Sequence, residues 1–233
     1  MKNLRLLPGY AAFFALAGAP LSGCAGVFGS DVVESFHAVT THSPATIAIH
    51  NPVGKIEIDG WNKPGVRIDA EKRGPTLDDV HAIKIAVVPN GDTLTITSDL
   101  GSQSNGRSVS YVIHAPPRTH LDLDESVGGI TLRGFSGDID ATVATGGIKA
   151  TLATLAAPQH VTLDVSVGGI KVALPSSANA SVTATTSVGG VKSDFPLTID
   201  RSTVGADASG TIGHGGAKLE LRASTGGIDI TRE

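Results

Sequence analysis

Ser166-Val167-Gly168-Gly169-Ile170 recurs as Ser126-Val127-Gly128-Gly129-Ile130 and Ser187-Val188-Gly189-Gly190-Val191, and with Thr for the middle Val as Ser224-Thr225-Gly226-Gly227-Ile228. Thr145-Gly146-Gly147-Ile148 is a further copy. Glycine reaches positive φ without a Cβ penalty, so each copy predicts a tight corner between a polar Ser or Thr and a β-branched residue that starts a strand. The first glycines stand at 128, 146, 168, 189 and 226. Ser202-Thr203-Val204-Gly205-Ala206 reads as a degenerate copy inside the last, longer step. Further breakers lie between corners, at Ser136-Gly137-Asp138, Ala157-Pro158, Pro175-Ser176-Ser177, Phe195-Pro196 and Gly213-His214-Gly215-Gly216. A unit of corner, short strand, second corner and short strand, about twenty residues long, has the size of a solenoid repeat.

Two all-β architectures use these glycines differently. In an antiparallel meander or β-sandwich, Leu163 to Val167 and Ile170 to Leu174 pair as a hairpin around Gly168-Gly169. In a single-stranded β-helix-like solenoid the corners stack instead, with Val127, Val167 and Val188 in one internal ladder and Ser126, Ser166 and Ser187 in another. A hairpin needs only turn glycines; stacking needs like residues at like positions, which the near-identical copies supply. The sequence therefore favours a β-solenoid with Gly-Gly corners over 118–233. Antiparallel strands are predicted within 32–117, and Arg232 and Glu233 are read as a charged end that discourages edge-to-edge growth.

Towards the N-terminus, Ala45 to Gly60 alternates apolar and polar residues on both sides of Asn51-Pro52-Val53-Gly54, predicting strand, turn and strand. Trp61 to Gly65 forms the next turn, with Trp61 folded back over a sheet edge. One or two helical turns are predicted between Thr76 and Lys84, and Asn90-Gly91 marks a hairpin. Gly101 to Arg107 reads as an exposed loop, and Ser108 to His114 as a strand ended by Pro116-Pro117. The aromatics after residue 24 are Phe28, Phe36, Trp61, Tyr111, Phe135 and Phe195. The core must therefore be built of Val, Ile, Leu, Ala and Thr, which is strand chemistry.

The first residues have a different character. Lys2 and Arg5 precede an apolar run, Tyr10 to Leu16, too short to span a bilayer, which reads as a secretory signal over 1–23. It ends in Leu21-Ser22-Gly23-Cys24, which resembles the bacterial lipobox, so Cys24 is the expected lipidation site, acylated with chains such as palmitate. Residues 24–31 then form the anchor and tether, and 32–233 the strand-repeat domain. Ala25, where an Asp resembles an inner-membrane retention mark, favours the outer membrane of a Gram-negative cell. Without the leader the chain keeps sixteen basic and twenty-two acidic residues, a net charge of −6. Such a chain has no general attraction for phosphate backbones, so no nucleic-acid partner is expected. The single Cys leaves no disulfide to form within the chain.

The lipobox, the Asn51-Pro52-Val53-Gly54-Lys55-Ile56 turn, the Gly60-Trp61-Asn62 link and the strand-Gly-Gly-Ile units together resemble a bacterial family of β-strand-repeat proteins of unknown function that carry an adhesin label. The resemblance spans nearly all of the chain after the leader and implies a strand-repeat fold and an adhesin-like role. It supplies no catalytic residues.

The residues themselves offer little reaction chemistry. His37, His42, His50, His81, His114, His120, His160 and His214 never fall at metal-ligand spacing. Asp122 and Asp124 alternate onto one outward face, read as a solvated acidic surface in preference to a Ca²⁺ site because the regular Gly-Asp nonapeptides of calcium solenoids are absent, and Asp138 and Asp140 are read the same way. No metal, cofactor or catalytic site is predicted; serines beside glycines occur once per repeat, whereas a nucleophile is expected once. Arg133, Lys149, Lys171 and Lys192 follow successive corners and form a candidate basic ladder on one face. The sequence thus points to a lipid-anchored, non-catalytic envelope protein, an adhesin or interaction scaffold. Its expected partners are the membrane, through the lipid, and an envelope protein or surface glycan. Two alternatives stand beside it: an envelope-stress sensing module that binds through an open sheet edge, and a polysaccharide-active enzyme on a β-helix.

Overall fold

Alternation of apolar and polar residues becomes strand almost throughout the computed structural model, which describes residues 31–102 and 106–233. The chain runs β1 (Val32–Thr40), β2 (Thr46–Gly60), β3 (Val66–Gly74), α1 (Leu77–Ala82), β4 (Lys84–Asn90), β5 (Thr93–Asp99), β6 (Ser108–Ala115), β7 (His120–Phe135) and β8 (Ile139–Leu152). It continues through β9 (His160–Leu174), β10 (Ala180–Val188), β11 (Val191–Ser193), β12 (Thr198–Arg201), β13 (Ala206–Ile212), β14 (Ala217–Thr225) and β15 (Ile228–Arg232). The leader, Cys24 and Ala25 lie outside the described residues, as does the centre of the loop after Gly101. No helix among the described residues is long and apolar enough to cross a membrane.

The fold is a β-solenoid. β7, β8 and β9 each run unbroken through their Gly-Gly pair and lie parallel in identical register, Gly128 beside Gly146 beside Gly168. The segments flanking Gly168-Gly169 are thus two arms of one bent strand, and the hairpin alternative does not form. Inward residues stack from coil to coil. On the first arm Ile47, Leu121, Ile139, Val161, Leu219 and Val182 form one ladder; on the second Ile56, Ile130, Ile148, Ile170, Ile228 and Val191 form another. All are buried. Each such side chain contributes about 1.5–3 kcal/mol by leaving water, so the core is a set of stacked apolar rungs that needs few aromatics.

The first glycine of each corner is demanded twice over. Gly54, Gly128, Gly146, Gly168, Gly226 and Gly189 have φ between 139° and 148°. A Cβ on any of the last five would overlap the carbonyl oxygen of the preceding glycine in that series, and one on Gly54 the carbonyl of Val109. Asn51-Pro52-Val53-Gly54 is therefore a corner of the same ladder, and β2 is one bent strand, parallel to β7 along both arms. β5 and β6 supply the two arms of the coil beyond it.

Several expectations from the sequence change. Val127, Val167 and Val188 are 48%, 52% and 50% exposed, and Ser126, Ser166 and Ser187 are exposed too. The corner turns outward over two consecutive residues before the glycine, so both ladders are external. Ser202 to Gly205 is no corner but the turn of an antiparallel hairpin of β12 and β13, closed by the Gly205 amide donating to Ser202 Oγ at 2.9 Å. β14 and β15, last in the chain, insert between β9 on one side and β10 and β11 on the other. Arg232 therefore sits within the sheet, over the Phe195 ring at 5.0 Å, and the sheet path instead ends at β1 and β12, which with β3 and β13 are paired antiparallel.

Antiparallel pairing, expected within 32–117, joins β1 to β3, β3 to β6 and β4 to β5, whereas β2 pairs parallel with β5 and β6, so the stacked coils reach further towards the N-terminus than the sequence indicated. The helix and the hairpin form as expected. α1 is opened by a capping box, in which Thr76 Oγ1 accepts from the Asp79 amide and the Asp79 carboxylate accepts from the Thr76 amide. β4 and β5 form the hairpin at Asn90-Gly91. Trp61 lies against the His114 ring, centroids 5.4 Å apart, and donates from Nε1 to the Gly65 carbonyl at 3.2 Å.

Candidate functional site: a lysine-edged glycine groove

The second glycine of each corner makes a row of its own on the outer surface of the second arm: Gly129, Gly147, Gly169, Gly227, Gly190. Having no side chains, it is the floor of a shallow groove along the solenoid axis. A concavity of about 550 Å³ lies over Gly129, Gly147 and Gly169, bordered by Lys55, Glu57, Thr131, Lys149 and Lys171. The next outward row forms one wall: Glu57, Thr131, Lys149, Lys171, Asp229, Lys192. The row before the first glycines reads Val53, Val127, Thr145, Val167, Thr225, Val188 and does not line the concavity. The lysine wall is cationic at its centre. Lys55 occupies the glycine row itself, beside Gly129.

The four basic residues singled out in the sequence are thus not one ladder. Lys149 and Lys171 are direct neighbours in register. Lys192 shares their row but is separated from Lys171 by Asp229. Arg133 is one outward position further along its strand, beside Asp59 and Thr151. It pairs with Glu57 and, at 2.8 Å, with Asp59, and these two carboxylates raise its pKa. Lys55, which the sequence reading passed over, replaces it at the groove. Among the described residues Lys55, Lys149 and Lys171 are exposed and form no ion pair, whereas Glu57 is held by Arg133. Strands about 4.8 Å apart place the Lys149 and Lys171 stems one rung from each other.

A second polar feature lies inside the solenoid, where the ladder before the corner reads Asn51, Glu125, Val143, Val165, Ala223, Thr186. Glu125 is fully buried and Asn51 nearly so. Asn51 Nδ2 donates to Glu125 Oε2 at 2.8 Å and to the Val109 carbonyl at 2.9 Å. Asn51 Oδ1 and Glu125 Oε1 have no partner. Burial pushes the Glu125 carboxyl up to about 7, against the opposing pull of the Asn51 amide and the Gly54 N–H, with Asp124 adding repulsion. Nearby, Tyr111 and Ser98 share a 2.6 Å hydrogen bond, and burial lifts the tyrosine to about 12. Glu125 escaped the sequence reading, although it continues the inward alternation of Leu121 and Leu123 and falls where other copies carry Val143 and Val165.

The first arm's outer surface carries Asp122, Asp124 and Asp140, all exposed, with His50 3.8 Å from Asp124 and His120 3.7 Å from Asp140. No group of three or more His, Cys, Asp or Glu side chains suited to a metal ion forms among the described residues.

Comparison with known proteins agrees with this architecture. No curated protein matches the chain. A solved structure from Clostridium sporogenes, named a "putative cell adhesion protein", is 16% identical and aligns over 88% of this chain and all of its own, with a TM-score of 0.54. Another, a "putative adhesin" from Bacteroides fragilis, is 15% identical over 88% of this chain and all of its own, with a TM-score of 0.33. The Toastrack DUF4097 family profile matches residues 113–231, from the end of β6 to the last strand. With its bent parallel strands and stacked Gly-Gly corners, the chain belongs to the Toastrack DUF4097 family.

Proposed function

We propose that this chain is a lipid-anchored, non-catalytic binding module of the bacterial envelope, an adhesin or interaction scaffold. The observation that carries this reading is the groove: a linear glycine track edged by lysines that form no ion pair among the described residues, on a scaffold whose repeated residues serve the corners. A track of this form suits an extended partner, such as a surface glycan or a segment of an envelope protein. The adhesion name of the Clostridium sporogenes relative supports the same reading. Cys24 after the apolar leader supports the anchor; two or three acyl chains, at about 0.8 kcal/mol per buried CH₂, hold a protein stably on a membrane surface. Ala25 supports the outer membrane as its site where the cell has one.

The test has two parts. Expressed with its leader and fed labelled palmitate, the chain is expected in the membrane fraction carrying label, and Cys24→Ser is expected in the soluble exported fraction without it. Cross-linking intact cells and recovering the chain is expected to bring down a discrete envelope component. A chain that carries no label and recovers nothing overturns the reading.

A further inference from the structure

We infer that the groove over Gly129, Gly147 and Gly169 receives an acidic glycan, a linear polysaccharide with a carboxylate on successive sugars. The inference rests on the envelope-binding reading and names its ligand class. Its first support is charge. Lys55, Lys149 and Lys171 converge on one concavity without ion-pair partners among the described residues, and the single carboxylate at its border, Glu57, is occupied by Arg133. A polyanion laid there gains up to three ammonium contacts, against the one bordering carboxylate, Glu57, which shares Arg133 with Asp59.

The second support is shape. A sugar chain presents a flat C–H face and a polar edge in each unit, and the groove presents the bare floor of Gly129, Gly147 and Gly169 with Lys149 and Lys171 along one wall. Adjacent lysines about 4.8 Å apart repeat at a spacing comparable to that of successive pyranose rings. Asp229 follows Lys171 in register and ends the cationic run, so the seat fits a segment of a few sugars.

The third support is the floor itself. Unlike the first glycines, Gly129, Gly147, Gly169, Gly227 and Gly190 are not at positive φ. A Cβ would meet a neighbouring carbonyl oxygen at 3.0 Å on Gly147, 3.3 Å on Gly169, 3.4 Å on Gly129 and 3.6 Å on Gly227, and nothing within 4 Å on Gly190. Lys55 shows that a side chain can stand in this row. Close strand packing thus favours glycine at positions 147 and 169, whereas Gly129, Gly227 and Gly190 have room for a side chain and are bare all the same, which keeps the track open.

Nucleic acid fits less well. None of the groove residues is an aromatic on which a base could stack.

The test uses the full-length chain, expressed with its leader and purified in detergent, with polygalacturonate as probe and its methyl ester as the uncharged counterpart. Polygalacturonate is expected to bind, the ester to bind at least about tenfold more weakly, and added salt to weaken the charged complex. The triple variant Lys55→Ser, Lys149→Ser, Lys171→Ser is expected to lose at least about tenfold in affinity. Lys84→Ser, Arg201→Ser, Lys218→Ser, which removes the same charge from exposed positions elsewhere, is expected to bind as the wild type does. Gly129→Leu, which fills the floor without changing charge, is expected to weaken binding as the groove triple does. Equal binding by the two triple variants overturns the groove as the seat, and preferential binding of polyphosphate overturns the glycan as ligand. Failure to bind polygalacturonate while cross-linking still recovers an envelope component overturns this inference and leaves the envelope-binding reading standing; failure of both overturns both.

Discussion

Asn51 and Glu125 stand 74 residues apart in the chain and face each other directly in the interior of the solenoid, the amide nitrogen of one donating to the carboxylate of the other at 2.8 Å. They are rungs of a ladder that continues as Val143, Val165 and Ala223. The parallel register of β2 against β7 makes the pair. Replacing Asn51 with an apolar residue would strand a buried carboxyl without its donor, which is the costly way to break such a contact.

Stability should therefore fall with rising pH through Glu125. Its carboxyl is raised from 4.5 to about 7 in the fold. Below 4.5 both folded and unfolded chains hold the proton and the group has no effect. Between 4.5 and about 7 the unfolded chain releases it while the fold retains it, so stability declines, then levels off above 7. The total is on the order of 3 kcal/mol. Urea denaturation of wild type and Glu125→Gln across this range should show the two diverging in favour of the variant as pH rises. Parallel curves would mean that Glu125 is ionised in the fold at no extra cost.

The two glycine rows should respond oppositely to alanine. Gly146→Ala places a Cβ against the Gly128 backbone at φ 140°, where the parallel ladder fixes both strands, and should cost more than about 3 kcal/mol. Gly190→Ala meets open space without positive φ and should be neutral or stabilising by up to about 1 kcal/mol. Equal losses at both positions would contradict the distinct roles given to the rows.

Core rungs are shared by neighbouring coils, so Ile148→Ala should be felt beyond β8. Its side chain is buried between Ile130 and Ile170, and the change should cost about 2–5 kcal/mol. Lys149→Ala, its exposed neighbour, should change stability by no more than about 0.5 kcal/mol. Chemical denaturation of the two single variants compares them directly.

Truncation tests the order of the coils. Ending the chain at Gly216 removes β14 and β15, which hydrogen-bond on both sides: Ile170 N–H donates to the Gly227 carbonyl at 3.0 Å, and Gly226 N–H to the Val188 carbonyl at 2.8 Å. The cut would leave β9 and β10 with unpaired interior edges, and loss of cooperative unfolding with aggregation is expected. Deleting 31–40, which removes the single strand β1 from one end of the sheet path, should leave a cooperative fold. A soluble, cooperatively unfolding product from the C-terminal truncation would refute the inserted order.

Much of the groove was legible by counting. Lys149, Lys171 and Lys192 each follow the first glycine of their corner by three positions, whereas Arg133 follows Gly128 by five, so its place outside their row is a matter of spacing. Asp229 stands three after Gly226 and belongs to the row by the same count. The order of the rungs was not legible, and it alone shows that Asp229 separates Lys171 from Lys192. Glu125 was legible in its parity, since Leu121, Leu123 and Glu125 alternate inward. Its partner was not, because Asn51 comes from a corner whose second glycine is replaced by Lys55.

The amino-acid sequence by itself determined the Gly-Gly corners, the twenty-residue period and the inward alternation along the strand arms. These depend on local causes: glycine's access to positive φ, the two-residue alternation of a strand, and the capping chemistry of Thr76 and Asp79. The tertiary structure alone decided that the last coil inserts between β9 and β10, that Asn51 meets Glu125, and that the valines before the glycines face outward. Near-identical repeats make this unavoidable. Val191 fits against Ile170 or Ile228 equally well by sequence, so only the packing of the whole stack sets Ile228 between the other two.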